Sequence, residues 1–173
     1  AQLNIADLQA IDLKAGDAIY VSGYDLYYPL SGASLEAWLP QLAPAYTLVL
    51  DPGPLLAEID SSRLQHILSR VNILSLNARE STILTGSAQS ALAAKQLVPT
   101  IAHDGWVVAR AGAQGCWLAH NEQAVTHLPA RQTTLAIDTT GAGDTHVAAL
   151  LARLSAGDDM LTAAHKANVA ASI

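Results

Sequence analysis

Short apolar runs along the chain alternate with segments whose apolar residues recur three or four positions apart. Ala18–Ser22 (AIYVS) is an apolar run ended by Gly23 and predicts a buried strand. Residues 34–42 carry Leu35, Trp38, Leu39 and Leu42 at helical spacing. Residues 46–50 (YTLVL) predict a second strand, stopped by Asp51-Pro52-Gly53-Pro54, a strong turn signal. Residues 61–71 predict a helix with Leu64, Ile67 and Leu68 on its apolar face, and residues 73–76 a third strand. Residues 87–97 read as an alanine-rich helix with Ser87 as candidate N-cap. Residues 106–109 predict a fourth strand, and residues 116–119 and 124–127 a hairpin across residues 120–123. A further apolar run ends Leu135, Ala136, Ile137. Beyond it, Val147, Leu150, Leu151 and Leu154 mark a helix, and residues 158–173 are again helix-periodic.

Strands alternating with helices imply an α/β fold, a largely parallel sheet flanked by helices on both faces. Ligands of such sheets sit outside the carboxyl ends of the strands. At 173 residues the chain suits a single domain with a sizeable core. With 51% apolar and 14% charged residues, disorder is excluded as its general state. The net charge is -6 and no basic cluster exists, so nucleic acid is a poor partner. The longest apolar runs, such as residues 147–152, are too short to span a bilayer, and no targeting segment is evident. The expectation is a cytoplasmic protein. The single cysteine, Cys116, allows no internal disulfide and reads as a small core residue beside Trp117.

The candidate chemistry concentrates in residues 138–144, DTTGAGD, between the last apolar run and the helix that follows. Gly141 and Gly143 let backbone pass close to a ligand where a Cβ would clash. The N–H groups at the helix start and the helix dipole favour an anion there. Asp144 sits on the first turn of that anion site. A carboxylate beside a phosphate cradle has an economical role as a general base that deprotonates an attacking hydroxyl.

This stretch resembles the second signature of the ribokinase-like (PfkB) family of carbohydrate kinases, DTxGAGD, at every fixed position. The resemblance implies Asp144 as catalytic base and Gly141, Ala142 and Gly143 as anion hole. It implies ATP and Mg2+ as cofactors, with a monovalent cation as an additional candidate, and a sugar as acceptor. Nucleosides and vitamin precursors are the acceptors of other branches of the superfamily. Asn77 and Glu80 form NxxE after the third strand. A carboxylate and an amide facing one side suit Mg2+, and the family motif implies Glu80 as metal residue and Asn77 as nucleotide-binding. The same spacing also describes a capped helical start with Glu80 at its third position. Arg110, Gly112 and Gly115 form RxGxxG at the end of the fourth strand, where a similar family motif approaches nucleotide phosphates. Arg110 suits a phosphate or a salt bridge. No Walker loop is present.

His146 stands where the family commonly has Phe, and on the inner face of a helix it reads as a packed core histidine. Asp51 and Asp25 read as turn residues. The six histidines show no zinc spacing. Relative to the family, the chain is expected to be the middle and C-terminal part of a kinase. The N-terminal strands, the sugar-binding segment and the β lid lack counterparts, as does the segment that closes over adenine. A homodimer through that lid, and inactivity of the 173 residues alone, are expectations of the same kind. The competing reading is a non-catalytic α/β fragment that binds nucleotide or a partner.

Overall fold

The computed structural model describes residues 2–131 and 140–172. A six-stranded sheet runs in the order β1-β2-β3-β4-β5-β6, so every neighbour in sequence is a neighbour in space. β1 (Ala18–Ser22), β2 (Thr47–Asp51), β3 (Ile73–Asn77) and β4 (Trp106–Arg110) pair in parallel. β5 (Cys116–His120) and β6 (Thr126–Leu128) complete the sheet as an antiparallel hairpin. The helices are α1 (Ile5–Gln9), α2 (Gly23–Tyr27), α3 (Pro29–Trp38), α4 (Ser61–Leu68), α5 (Ala78–Thr85), α6 (Ser90–Leu97), α7 (Ala142–Ser155) and α8 (Met160–Ala170). Among the described residues, no helix is long and apolar enough to cross a membrane.

The central strands β2, β3 and β4 read as continuous apolar runs because both faces of the sheet are covered there. Side chains alternate between two cores. Leu48, Leu50, Leu74, Leu76, Val107 and Ala109 point into one, against Leu35, Ile67 and Leu97 of α3, α4 and α6. Val49, Ile73 and Val108 point into the other, against Val147 and Leu150 of α7 and Ala163, Ala164 and Ala167 of α8. The alanines of α8 bring it close to α7, whose Val147 and Leu150 fill the space.

Several boundaries differ from the sequence expectations. The helix predicted over residues 34–42 begins at Pro29 and ends at Trp38. Pro29 supplies a favourable first helical position, and Pro40, which lacks an N–H, tightens the end into a 3-10 turn at Leu39–Gln41. Ser87 is not a helix cap. Its hydroxyl accepts the Gln89 N–H at 3.2 Å in a local turn, and α6 starts only at Ser90. The short helices α1 and α2 are additions, α1 being closed by Asn4 and Asp7 in a reciprocal capping box, whereas α5 is the capped helical start that the Asn77–Glu80 spacing described. β2, β3 and β4 each run one residue further than the apolar run, to Asp51, Asn77 and Arg110. The strand expected to end at Ile137, together with Asp138 and Thr139, lies outside the described residues.

Candidate active site

The parallel register brings the carboxyl ends of β2, β3 and β4 to one edge of the sheet. Asn77 pairs in register with Arg110, and Leu50, just before Asp51, with Leu74. A cavity of about 880 Å³ opens there, lined by Asp51, Asn77, Glu80, Arg110 and the turn from Gly141 to Asp144. This is the edge where ligands of parallel α/β sheets bind.

Arg110 is the hub of the cavity floor. Its Nη2 donates to Asp51 Oδ2 at 2.8 Å and lies 3.9 Å from Glu80 Oε2. Its Nε reaches the Leu76 carbonyl at 3.4 Å. Only 11% of the Arg110 side chain is exposed, so the guanidinium is held in place rather than waving in solvent. Arg110 therefore forms the salt bridge that was one of its two expected roles, and it forms it inside the cavity. Asp51 is not merely a turn residue: it ends β2, is buried, and faces that cation. Burial pushes its carboxyl above the usual range, while Arg110 and the Gly53 N–H pull the other way. Asp25 sits in the first turn of α2 and does not line the cavity.

Asn77 and Glu80 build the start of α5. Asn77 Oδ1 accepts the Glu80 N–H at 2.9 Å, and Glu80 Oε2 accepts the Asn77 N–H at 2.8 Å. Asn77 Nδ2 also donates to Glu80 Oε1. Glu80 is buried, and burial raises its carboxyl above the usual range against the opposing Asn77 N–H. The capping box is formed, and both of its members line the cavity. Both Glu80 oxygens already accept N–H groups, so their remaining lone pairs suit a metal held through its waters, as Mg2+ prefers. Among the described residues, no group of three or more His, Cys, Asp or Glu forms a dedicated metal cage.

α7 starts as the glycine string anticipates. Gly141 is its N-cap in the left-handed region, φ +77°, which a glycine adopts without penalty. It has no side chain to close over the first-turn N–H groups, in contrast to Asp60, Asn77 and Asp159 at the starts of α4, α5 and α8. Asp144 stands in that first turn, exposed to the cavity. Gly143 is glycine for a spatial reason: a Cβ there would lie 2.5 Å from Arg110 Nη1. The guanidinium thus reaches over the turn from Gly141 to Asp144. Gly112 and Gly115 bound the tight turn from β4 to β5 and also line the cavity.

His146 is buried, as expected of a core residue, yet it is part of the cavity wall. Its Nε2 meets Asn168 Oδ1 at 3.1 Å, and Asn168 Nδ2 donates to the carbonyls of Leu128 and Pro129. Burial first, then the Arg110 charge, lowers the His146 pKa to about 4. Asn168, on α8, escapes sequence reasoning because nothing in its neighbourhood marks it. Tyr20, on β1, was missed too; burial and the charges of Asp51 and Asp144 push its hydroxyl up to about 12. Cys116 is a core residue, its thiol pushed up to about 11 by burial.

The description pfkB family carbohydrate kinase matches residues 2–173. The uncharacterized sugar kinase YegV of Escherichia coli K12 is 31% identical over 175 residues, covering 99% of this chain and 53% of that protein. The bifunctional protein HldE of Paramagnetospirillum magneticum is 36% identical over 112 residues, 62% of this chain and 22% of that one. Aminoimidazole riboside kinase from Salmonella enterica, complexed with aminoimidazole riboside and an ATP analog, superposes with a TM-score of 0.83 at 19% identity, over 99% of this chain and 59% of that one. Fructokinase from Vibrio cholerae O395, bound to fructose, ADP and calcium ion, superposes with a TM-score of 0.82 at 24% identity, over 99% of this chain and 57% of that one. The fold is that of ribokinase-like kinases, and the chain spans about half the length of the relative YegV. The chain belongs to the pfkB family of carbohydrate kinases.

Proposed function

With that membership as the premise, we propose that the protein carrying this chain transfers the γ-phosphoryl group of ATP to a hydroxyl of a sugar. The observation that carries the reading is one juxtaposition. An α7 start without a side-chain cap, with Asp144 in its first turn, shares a cavity with Arg110 held by Asp51. Asp144 takes the proton of the acceptor hydroxyl. The N–H groups of Ala142, Gly143 and Asp144 meet the charge that develops on the transferring phosphoryl oxygens. Arg110, fixed beside Gly143, offers its remaining N–H groups to the same oxygens or to the nucleotide phosphates. The Gly112–Gly115 turn and Asn77 lie along the nucleotide.

Asp51, Glu80 and Asp144 share the cavity wall with Arg79, Arg110 and Arg131, so the wall offers cations to the phosphates and carboxyls to a metal that accompanies them. Glu80 would hold Mg2+ through water; when bound, the ion neutralises charge on the phosphates being separated.

ATP-dependent formation of sugar phosphate from a panel of aldoses and ketoses, by the protein that carries this chain, tests the reading. Absence of product with every sugar, together with turnover of a nucleoside, would move the acceptor to another branch of the superfamily. The fragment reading rests on the chain's 53% share of its relative YegV. It requires the 173 residues to bind nucleotide or a partner without phosphorylating any sugar.

A further inference from the structure

The turn from β4 to β5 meets the cavity through Gly112, Ala113 and Gly115. Its two ends are held unequally. Gly115 is buried against β6, where a Cβ would collide with the Leu128 carbonyl. Gly112, Ala113 and Gln114 are exposed, and Gly112 has φ +54° with nothing within 4 Å of a built Cβ. Backbone bonds close the turn, the Gln114 N–H donating to the Ala111 carbonyl at 3.1 Å and the Gly115 N–H to the Gly112 carbonyl at 2.9 Å. A side chain then ties it to a neighbouring strand. His127 of β6 stands in register with Trp117 of β5, and the two rings stack with centroids 4.3 Å apart. Trp117 packs against the core, so the stack gives the imidazole a fixed seat. From that seat His127 Nε2 meets the Gln114 carbonyl at 2.8 Å. A carbonyl only accepts, so Nε2 carries the ring hydrogen. Among the described residues, this is the one side-chain hydrogen bond to the turn.

We infer that His127 is a positioning residue for the nucleotide: its Nε2–H, aimed by the stack on Trp117, holds the Gly112–Gly115 turn in the shape that receives the ligand. This rests on the nucleotide reading of the cavity and adds to it a residue outside the wall. His127 does not line the cavity, so it acts through the Gln114 carbonyl rather than on the ligand. A turn that binds through its backbone has to be ordered, and ordering it beforehand lowers the cost of association. The hydrogen bond does this at the exposed end, which the packing of Gly115 leaves free. It also joins the turn to the segment that carries Ala130 and Arg131, two further residues of the same wall. The wall is thereby braced from behind by a contact that spans two strands.

The test compares His127→Gln, His127→Asn and His127→Ala in the protein that carries this chain, by calorimetric binding of Mg-ATP and by thermal melts. A glutamine amide brings an N–H to the place of Nε2, asparagine is too short to reach it, and alanine has no donor. All three lose the imidazole stack. His127→Asn and His127→Ala should bind Mg-ATP about threefold to tenfold more weakly, and His127→Gln within about twofold of the unmodified protein. The three melting temperatures should stay close together, because the stack is lost alike in each. Equal affinities in all four proteins, an equal loss in all three variants, or melting temperatures that fall in step with the affinities overturn the inference and leave the nucleotide reading standing. No binding of Mg-ATP by the unmodified protein overturns both. A measurement without any variant stands beside these: the 15N spectrum of His127 in the unmodified protein should show the Nε2–H tautomer, and an Nδ1–H tautomer overturns the inference.

Discussion

Arg110 Nη2 and Asp51 Oδ2 meet at 2.8 Å across the sheet, from the last residues of β4 and β2, with β3 between them. The pair is nearly dry, with 11% and 10% of the two side chains exposed. Breaking a buried pair by removing one partner leaves the other charge uncompensated, at about 3–5 kcal/mol. Arg110→Met leaves both Asp51 and Glu80 without their cation, whereas Asp51→Asn leaves Arg110 with Glu80 still 3.9 Å away. Arg110→Met is therefore expected to be the more destabilising of the two at pH 7, by urea unfolding. Equal losses would show that Glu80 does not share the cation.

The same pair sets a pH dependence. The Asp51 and Glu80 carboxyls are both raised in the folded protein, chiefly by burial. A raised folded pKa means the folded state holds protons that the unfolded state has already released. Stability from these groups is complete below about pH 4 and is lost as pH rises through the raised values. Asp51→Asn removes one such contribution, so its stability deficit relative to the unmodified chain should shrink between pH 4 and pH 7. A deficit that grows over that range would mean the carboxylate form is the one the fold stabilises.

Asp144→Asn keeps the shape of the α7 start and loses the base. In the protein that carries this chain, turnover should fall by about 10²–10⁴-fold while nucleotide affinity stays close to unchanged. A loss of turnover below about tenfold would sink Asp144 as general base.

Gly141 and Gly143 should fail differently when given a methyl group. At Gly141, φ is +77° and nothing lies within 4 Å of a built Cβ, so Gly141→Ala is a matter of backbone strain, about 1–2 kcal/mol. At Gly143, the methyl group meets Arg110 Nη1 and pushes the guanidinium away from Asp51. Gly143→Ala should therefore weaken Mg-ATP binding more than Gly141→Ala does, while Gly141→Ala should lower the melting temperature. Calorimetric binding and thermal melts on both variants decide it; equal affinities would separate Arg110 from the anion turn.

Glu80→Gln retains an acceptor for the Asn77 N–H and removes the charge. It should raise the Mg2+ concentration needed for half-maximal nucleotide binding more than it lowers the melting temperature. A variant that melts several degrees lower with an unchanged Mg2+ requirement would limit Glu80 to capping α5.

Contiguous sequence was enough for the parts of this protein whose physics is local. Apolar runs located β1 to β4, most plainly β2 to β4, whose two faces are both buried, and the glycine string with Asp144 located the α7 start because a turn, a dipole and an acid act within seven residues. Helices of five residues, such as α1 and α2, are too short to show a period and stayed hidden. Asp51 was hidden differently: beside Pro52-Gly53 it looks like a turn residue, and its polarity ends the apolar run one position before the strand ends. Only the sheet register sets it opposite Arg110, 59 positions along the chain. Likewise the pairing of His146 with Asn168 exists only because the alanine face of α8 packs onto α7. Residue types and spacing announce chemistry that one segment performs alone. Buried charges and buried polar pairs arise where distant segments shut out water, and that exclusion is a property of the packed tertiary structure.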